Sequence, residues 1–201
     1  MVGGGTGGHV YPALAIADAL RRADDQSVVA FAGTTDRLEW RVVPQAGYAI
    51  HPIAAAGIRR SLSLSNLAVP LTVARGVAQC LGLVNDFDAD AVVATGGFVS
   101  GPLGLAATLR RRLLVLQEQN AYAGVTNRLL GRFADRVHVA FPEAESAFPT
   151  SITRQTGNPV RSDLSSADRS EARRFFNLPD AANALFVFGG SGGSQAINDA
   201  V

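Results

Sequence analysis

Near its start the chain reads GGGTGGH, residues 3–9, with five glycines and one histidine in seven positions. Gly3, Gly5 and Gly8 fit the G-x-G-x-x-G spacing of a dinucleotide loop, and the same spacing also describes a tight strand-to-helix turn with no ligand. Glycines allow left-handed backbone and let N–H groups approach a guest closely. The helical pattern that follows starts near Tyr11 or Pro12, so its positive end faces the loop and favours a phosphate or sugar oxygen. His9 closes the loop. A histidine titrates near neutrality, so it suits a general base or a hydroxyl holder; a hydrogen-bonded loop residue is the other reading.

Two more polar loops follow apolar, strand-like runs. One is TGGFVSGPLG (Thr95–Gly104), with Gly96, Gly97 and Ser100; the other is EQNAYAGVTN (Glu118–Asn127). In open α/β sheets ligands bind outside the carboxyl ends of the strands. Thr6, His9, Phe98, Ser100, Glu118, Gln119, Asn120 and Asn127 are therefore expected in one crevice. Their amides, hydroxyls and carboxylate suit a polyhydroxylated guest, although helix capping explains any one of them alone. Arg161, after Asn158–Pro159, suits bidentate phosphate binding or a surface ion pair. His51 and His138 lie within apolar strands and read as structural, and no metal site is expected.

The elements that must position these loops alternate. Helices are expected over Pro12–Arg22, Arg37–Ala46, Ser65–Phe87 (with a break near Pro70), Pro102–Arg111 and Gly124–Phe133. Strands are expected over Ser27–Gly33, Tyr48–Ile53, Asp90–Gly97, Leu113–Gln117 and Arg136–Phe141. This rhythm predicts a Rossmann-like α/β fold, a parallel sheet with helices on both faces. Thr156–Leu164 reads as turn chemistry. A helix over Arg169–Asn177, a strand over Leu185–Gly190 and the glycine turn SGGSQAINDAV then repeat the logic of the start. The reading is a domain over 1–160 and a linker plus the start of a second domain over 161–201. Only Met1 and Val2 precede the first loop, so a fragment lacking most of its first strand and second domain is expected.

Composition narrows the chemistry. The 201 residues carry a net charge of +1, with 47% apolar and 17% charged residues, which suits a buried core and gives no case for a nucleic-acid partner. All 18 basic residues are arginine. Without lysine there is no Walker A loop and no Schiff base. One cysteine, Cys80, excludes a disulfide framework and a cysteine-based metal site and reads as a core residue. No signal peptide or spanning run is visible. Asn66–Val84 is apolar apart from Arg75, which suits a core helix or, with Arg59, Arg60 and Arg110–Arg112 elsewhere, an anionic membrane surface.

Five motifs in order, GGGTGGHVYPALAIADAL, TGGFVSGP, QEQNAYAGVTNRLL, TGNPVR and GGSGGSQAIN, resemble the MurG family of peptidoglycan glycosyltransferases across essentially the whole chain. The resemblance implies the N-terminal half of a GT-B fold and no cofactor. It implies inverting transfer of N-acetylglucosamine from UDP-N-acetylglucosamine to the 4-hydroxyl of the muramic acid in undecaprenyl-linked lipid I. Lipid II forms at the cytoplasmic face of the membrane, where the enzyme is peripheral. Carried over by motif, Thr6, Gly7, Gly8 and Asn120 contact the donor sugar, while Arg161 and Ser191 bind the nucleotide diphosphate. His9 and Glu118 are the catalytic candidates, with His9 as base. The first loop and the loop with Gly96, Gly97, Ser100 and Asn127 nearby face the acceptor, including its diphosphate. The apolar helix resembles the family's membrane-facing patch. Phe98 stands where tyrosine is common, Gln117 where histidine often stands, and Gly192 and Ser194 depart from the last loop. The family reads uracil and ribose with residues beyond position 201, so no catalytic activity is expected of residues 1–201 alone. An NAD-dependent oxidoreductase, another GT-B lipid glycosyltransferase and a non-catalytic binding module are the alternatives. The first wants an acid at the end of the second strand, where Gly33 stands.

Overall fold

A computed structural model describes residues 1–57, 67–161, 168–179, 181–189 and 193–201. The chain divides into two compact units, Met1–Val160 and Arg161–Val201.

In the first unit α1 (Gly7–Ala23), β1 (Ala30–Gly33), α2 (Leu38–Gln45), β2 (Ala49–Pro52) and α3 (Val69–Asp86) come first. Then follow β3 (Ala91–Ala94), α4 (Ser100–Leu109), β4 (Leu113–Glu118), α5 (Val125–Leu130), β5 (Arg136–Val139), a 3₁₀ turn (Pro142–Ala147) and β6 (Thr153–Gln155). All pairings are parallel: β1 with β2, and β3 through β6 in order. Val2 joins the two groups. It bridges Ala32 and Ala94, its N–H donating to Val93 O and its carbonyl accepting from Thr95 N–H, both at 2.9 Å. The strand order is thus β2–β1–Val2–β3–β4–β5–β6, and it reverses direction at Val2. A crevice at the carboxyl ends of the strands belongs at such a reversal.

Short apolar strands buried on both sides explain the parallel sheet. Neighbouring strand residues point to opposite faces. Phe31 accordingly packs with Val10, Leu14, Val43 and Tyr48 under α1 and α2, while Ala32 packs with Val2, Cys80, Leu103, Leu114 and Val137 on the other face. Burial pushes the Cys80 thiol up to about 12, as expected of a small core residue. A cleft of about 660 Å³, lined in part by Met1, Val28, Phe87 and Ala91, opens at the amino ends of β1 and β3, away from the glycine loops.

Several elements differ from the sequence expectation. α1 starts at Gly7, not near Tyr11, because the Thr6 carbonyl accepts the N–H groups of His9 and Val10 at 3.1 and 3.2 Å. Pro70 sits in the first turn of α3, where its missing N–H costs nothing, and does not break the helix. The expected residues 65 and 66 of that helix lie outside the described residues, as do Arg59 and Arg60. β6, the three residues TRQ, has no apolar period to betray it; it forms because β5 offers an edge.

In the second unit α6 (Arg169–Phe175) is capped by Asp168, whose carboxylate accepts from Glu171 N–H at 2.7 Å. Arg173 donates to the carbonyls of Pro179 and Ala182. Ser194 caps α7 (Gln195–Ala200), accepting from Ile197 N–H. The strand expected over Leu185–Gly190 is absent over residues 185–189, and Gly190 lies outside the described residues. An isolated strand satisfies none of its backbone groups, and the described part of this unit supplies no partner strand. Leu185, Phe186 and Phe188 are exposed.

Candidate functional site

Two glycine loops meet at the reversal point. The first leaves Val2 and enters α1; the second leaves β3 and enters α4. Thr95, fully buried, links them by donating its hydroxyl to the His9 carbonyl at 2.6 Å. Gly96 adopts φ +102° and Gly97 φ +80°, left-handed backbone that side chains rarely adopt. Ser100 holds this turn through its own hydroxyl, which donates to Gly96 O at 2.7 Å and accepts Gly96 N–H at 3.2 Å. Ser100 is buried and shapes the loop.

His9 lies in the first turn of α1 and is half-buried. A Cβ at Gly96 would sit 3.1 Å from His9 Cε1 and Nδ1 and 3.4 Å from Asn127 Nδ2, so Gly96 is what lets these two side chains close on one point. His9 Nδ1 is 3.4 Å from Gln119 Oε1. The Gln119 amide is oriented by its own Nε2, which donates to Gln117 O at 3.1 Å. Its oxygen therefore faces the ring, and an amide oxygen only accepts. Nδ1 then carries the proton and Nε2 keeps the lone pair.

The third loop is organised by Glu118. This carboxylate is 1% exposed. One oxygen accepts Asn120 N–H and Nδ2 at 3.0 and 2.8 Å; the other accepts Gly124 N–H and Asn127 Nδ2, both at 3.0 Å. Four donors saturate both oxygens. Glu118, expected as a catalytic candidate, is in this geometry the group that holds the loop. Asn120 is exposed, with its amide nitrogen anchored to Glu118. Asn127 is 1% exposed, and its Oδ1 has no hydrogen-bond partner among the described residues. An unpaired buried acceptor costs about 1–3 kcal/mol, which a hydroxyl donor on a guest would recover.

Thr6 and Gly8 are exposed beside His9, and Gly7 is half-buried. Gly7 and Gly8 are the first residues of α1, so their N–H groups have no acceptor within the helix. The structure thus gathers His9, Gly96, Gly97, Gln119, Glu118 and Asn127 by direct contacts, with Thr6, Gly7, Gly8 and Asn120 on the exposed rim. Phe98 lies beside the first loop, with the Arg37 guanidinium 6.0 Å from its ring centre. Arg161 is exposed in the second unit, and Ser191 lies outside the described residues. His51 and His138 sit in β2 and β5. No three His, Cys, Asp or Glu side chains gather to hold a metal among the described residues. Sequence reasoning missed Glu39, which lies under the first loop with Thr34; an acid in a first helical turn ordinarily reads as a surface residue.

Residues 1–139 match the family described as the glycosyltransferase family 28 N-terminal domain. The chain is 54% identical over its full length to a UDP-N-acetylglucosamine–N-acetylmuramyl-(pentapeptide) pyrophosphoryl-undecaprenol N-acetylglucosamine transferase of Salinibacter ruber, covering 54% of that protein. It is 45% identical to the protein of the same name from Desulforudis audaxviator, again covering all of this chain and 54% of the relative. The chain thus spans about half the length of the curated relatives it matches. Among solved structures, Acinetobacter baumannii MurG matches with a TM-score of 0.65 and 34% identity over 81% of this chain and 45% of that one. A Neisseria meningitidis UDP-GlcNAc 2-epimerase bound to UDP-GlcNAc shares the fold at a TM-score of 0.55 and 13% identity, over 84% of this chain and 48% of that one.

Proposed function

The chain belongs to glycosyltransferase family 28, and from that premise we propose that it forms the acceptor-side half of an inverting N-acetylglucosaminyltransferase. The donor is UDP-N-acetylglucosamine, and the acceptor is the 4-hydroxyl of the muramic acid in undecaprenyl-linked lipid I. The product is lipid II, for peptidoglycan synthesis. The observation that carries this reading is the His9 ring, oriented by Gln119 at the meeting point of two glycine loops.

His9 Nε2 takes the acceptor proton as that hydroxyl oxygen attacks the anomeric carbon. The new carbon–oxygen bond forms opposite the departing UDP, whose phosphate oxygen carries away the electrons of the old bond, so the configuration inverts. General-base assistance of this kind contributes about 10²–10⁴-fold. Thr6, Gly7, Gly8 and Asn120 hold sugar oxygens at the rim. Glu118 keeps Asn120 and Asn127 in place, and Asn127 Oδ1 accepts from a sugar hydroxyl. Gly96, Gly97 and Ser100 shape the acceptor loop. Arg161 and Ser191 contact the nucleotide diphosphate.

The reading also puts the protein on the inner face of the cytoplasmic membrane. No described helix is long and apolar enough to cross a bilayer. α3 instead exposes Leu71, near exposed Leu67 and Arg75. Apolar side chains beside a cation suit peripheral contact with anionic lipid. The test is a titration of the chain with a short-chain lipid I analogue and, separately, with NAD. Saturable binding of the analogue, weakened by His9→Ala, is the expected result. Tight NAD binding without analogue binding overturns the reading in favour of an oxidoreductase.

A further inference from the structure

Glu39, in the first turn of α2, is 1% exposed. A buried carboxylate is costly unless hydrogen bonds replace its water. One oxygen of Glu39 accepts the Gly5 N–H at 3.0 Å; the other accepts Thr34 N–H at 3.3 Å and the Thr34 hydroxyl at 3.0 Å. The ion pairs Arg37–Asp36 and Arg112–Asp88 do not involve Glu39. Neutral donors and the amino end of α2 therefore balance this charge.

The surroundings are cut to fit it. A Cβ at Gly4 would lie 2.7 Å from Glu39 Oε1, and one at Gly33 2.7 Å from Glu39 Cγ. Gly5 adopts φ +89°, the left-handed backbone that turns its N–H inward to the carboxylate. On its other side a Cβ at Gly5 would meet Phe98 at 3.5 Å. The loop that carries Thr6 to His9 is thus clamped from beneath by one acid rooted in a different helix, 34 residues away in sequence.

We propose that Glu39 is the positioning residue of the acceptor-side glycine loop, fixing the loop backbone, and through it His9 and the rim amides, in the form that receives the acceptor. This rests on the reading of the crevice given above. The Glu39 carboxylate already occupies the Gly5 N–H, so that amide holds the loop in shape and is not offered to a guest.

The test uses the 201-residue chain and two readouts. Amide hydrogen exchange follows Gly5 directly, with Phe31 and Leu114 as core references, and NMR follows the His9 ring; titration with the short-chain lipid I analogue follows function. Glu39→Ala is expected to speed Gly5 exchange at least tenfold, shift the His9 ring signals and weaken analogue binding about tenfold, with core protection unchanged. Glu39→Gln, which keeps an acceptor oxygen for Gly5, is expected to restore part of both. Thr34→Val removes one donor to the carboxylate and, should Glu39→Ala fail to fold, is expected to move Gly5 exchange the same way by about threefold. Unchanged Gly5 exchange in a folded variant overturns the proposal. So does faster exchange with unchanged analogue affinity. If the unsubstituted chain does not bind the analogue, the acceptor reading itself falls, and the Gly5 exchange still decides whether Glu39 holds the loop.

Discussion

His9 owes its role less to its own type than to what surrounds it. Gly96 leaves room for the ring, Thr95 ties its backbone, and Gln119 turns an acceptor oxygen to Nδ1. This dependence makes Gly96→Ala a sharp probe. The added methyl meets left-handed backbone and lies 3.1 Å from the imidazole. Strain of this kind costs roughly 1–3 kcal/mol. Chemical denaturation should show that loss, and lipid I analogue affinity should fall with it. The site residues legible in the sequence were those on the three glycine and amide loops, because loop composition after a strand is itself a signal. Their division of labour was not legible. Glu118 and Ser100 carry the right chemistry for a ligand, yet Glu118 accepts from neighbouring loop donors and the Ser100 hydroxyl both donates to and accepts from Gly96. Those partners lie only two to six residues away, so it is the turn conformation that hides them, whereas the Gly5 partner of Glu39 lies 34 residues away.

At the scale of elements, the alternation of apolar runs and helical periods revealed the parallel sheet, since buried parallel strands are continuous apolar stretches. Boundaries were less legible where tertiary contacts override local preference. Gly7 and Gly8 are poor helix formers, yet they open α1 because the first loop is tied to β3. The apolar run over residues 185–189 forms no strand for the opposite reason: propensity without a neighbour makes no ladder. α3 carries a prediction of its own. Its inner side buries Gly76, Cys80 and Val84, and Gln79 accepts the Ala54 N–H at 2.7 Å, while Leu71 is 76% exposed. Burying a leucine side chain fully contributes about 1.5–3 kcal/mol. Leu71→Asp should therefore weaken sedimentation with vesicles of anionic phospholipid about tenfold and leave the far-UV spectrum unchanged. Equal binding of both proteins would remove α3 from the membrane contact.

At the largest scale, the sheet of the first unit is sewn together at Val2, which bridges its two strand groups. Met1 shares that seam, and its amino group donates to Ala30 O at 2.6 Å. In the 201-residue chain with Met1 as its free terminus, burial lowers this amine from 8.0 to about 5. Between those values the unfolded chain binds more protons than the folded one, so stability rises with pH across that window. A shift of that size corresponds to about 4 kcal/mol. Urea unfolding of the chain with its Met1 amine free should show the rise between pH 5.5 and 8, and acetylation of the amine should flatten it. The seam also positions the proposed acceptor crevice, since one glycine loop leaves from Val2 and the other from β3 beside it.

The central claim is that this crevice holds the acceptor with His9 as its base. The direct measurement joins this chain to the C-terminal half of the Salinibacter ruber relative and follows labelled N-acetylglucosamine from UDP to a short-chain lipid I analogue. The account predicts transfer by the parent chimera and a fall of about 10²–10⁴-fold in kcat on His9→Ala, with KM for the analogue changing far less. A His9→Ala chimera that transfers within about threefold of its parent, well outside that general-base range, would contradict it.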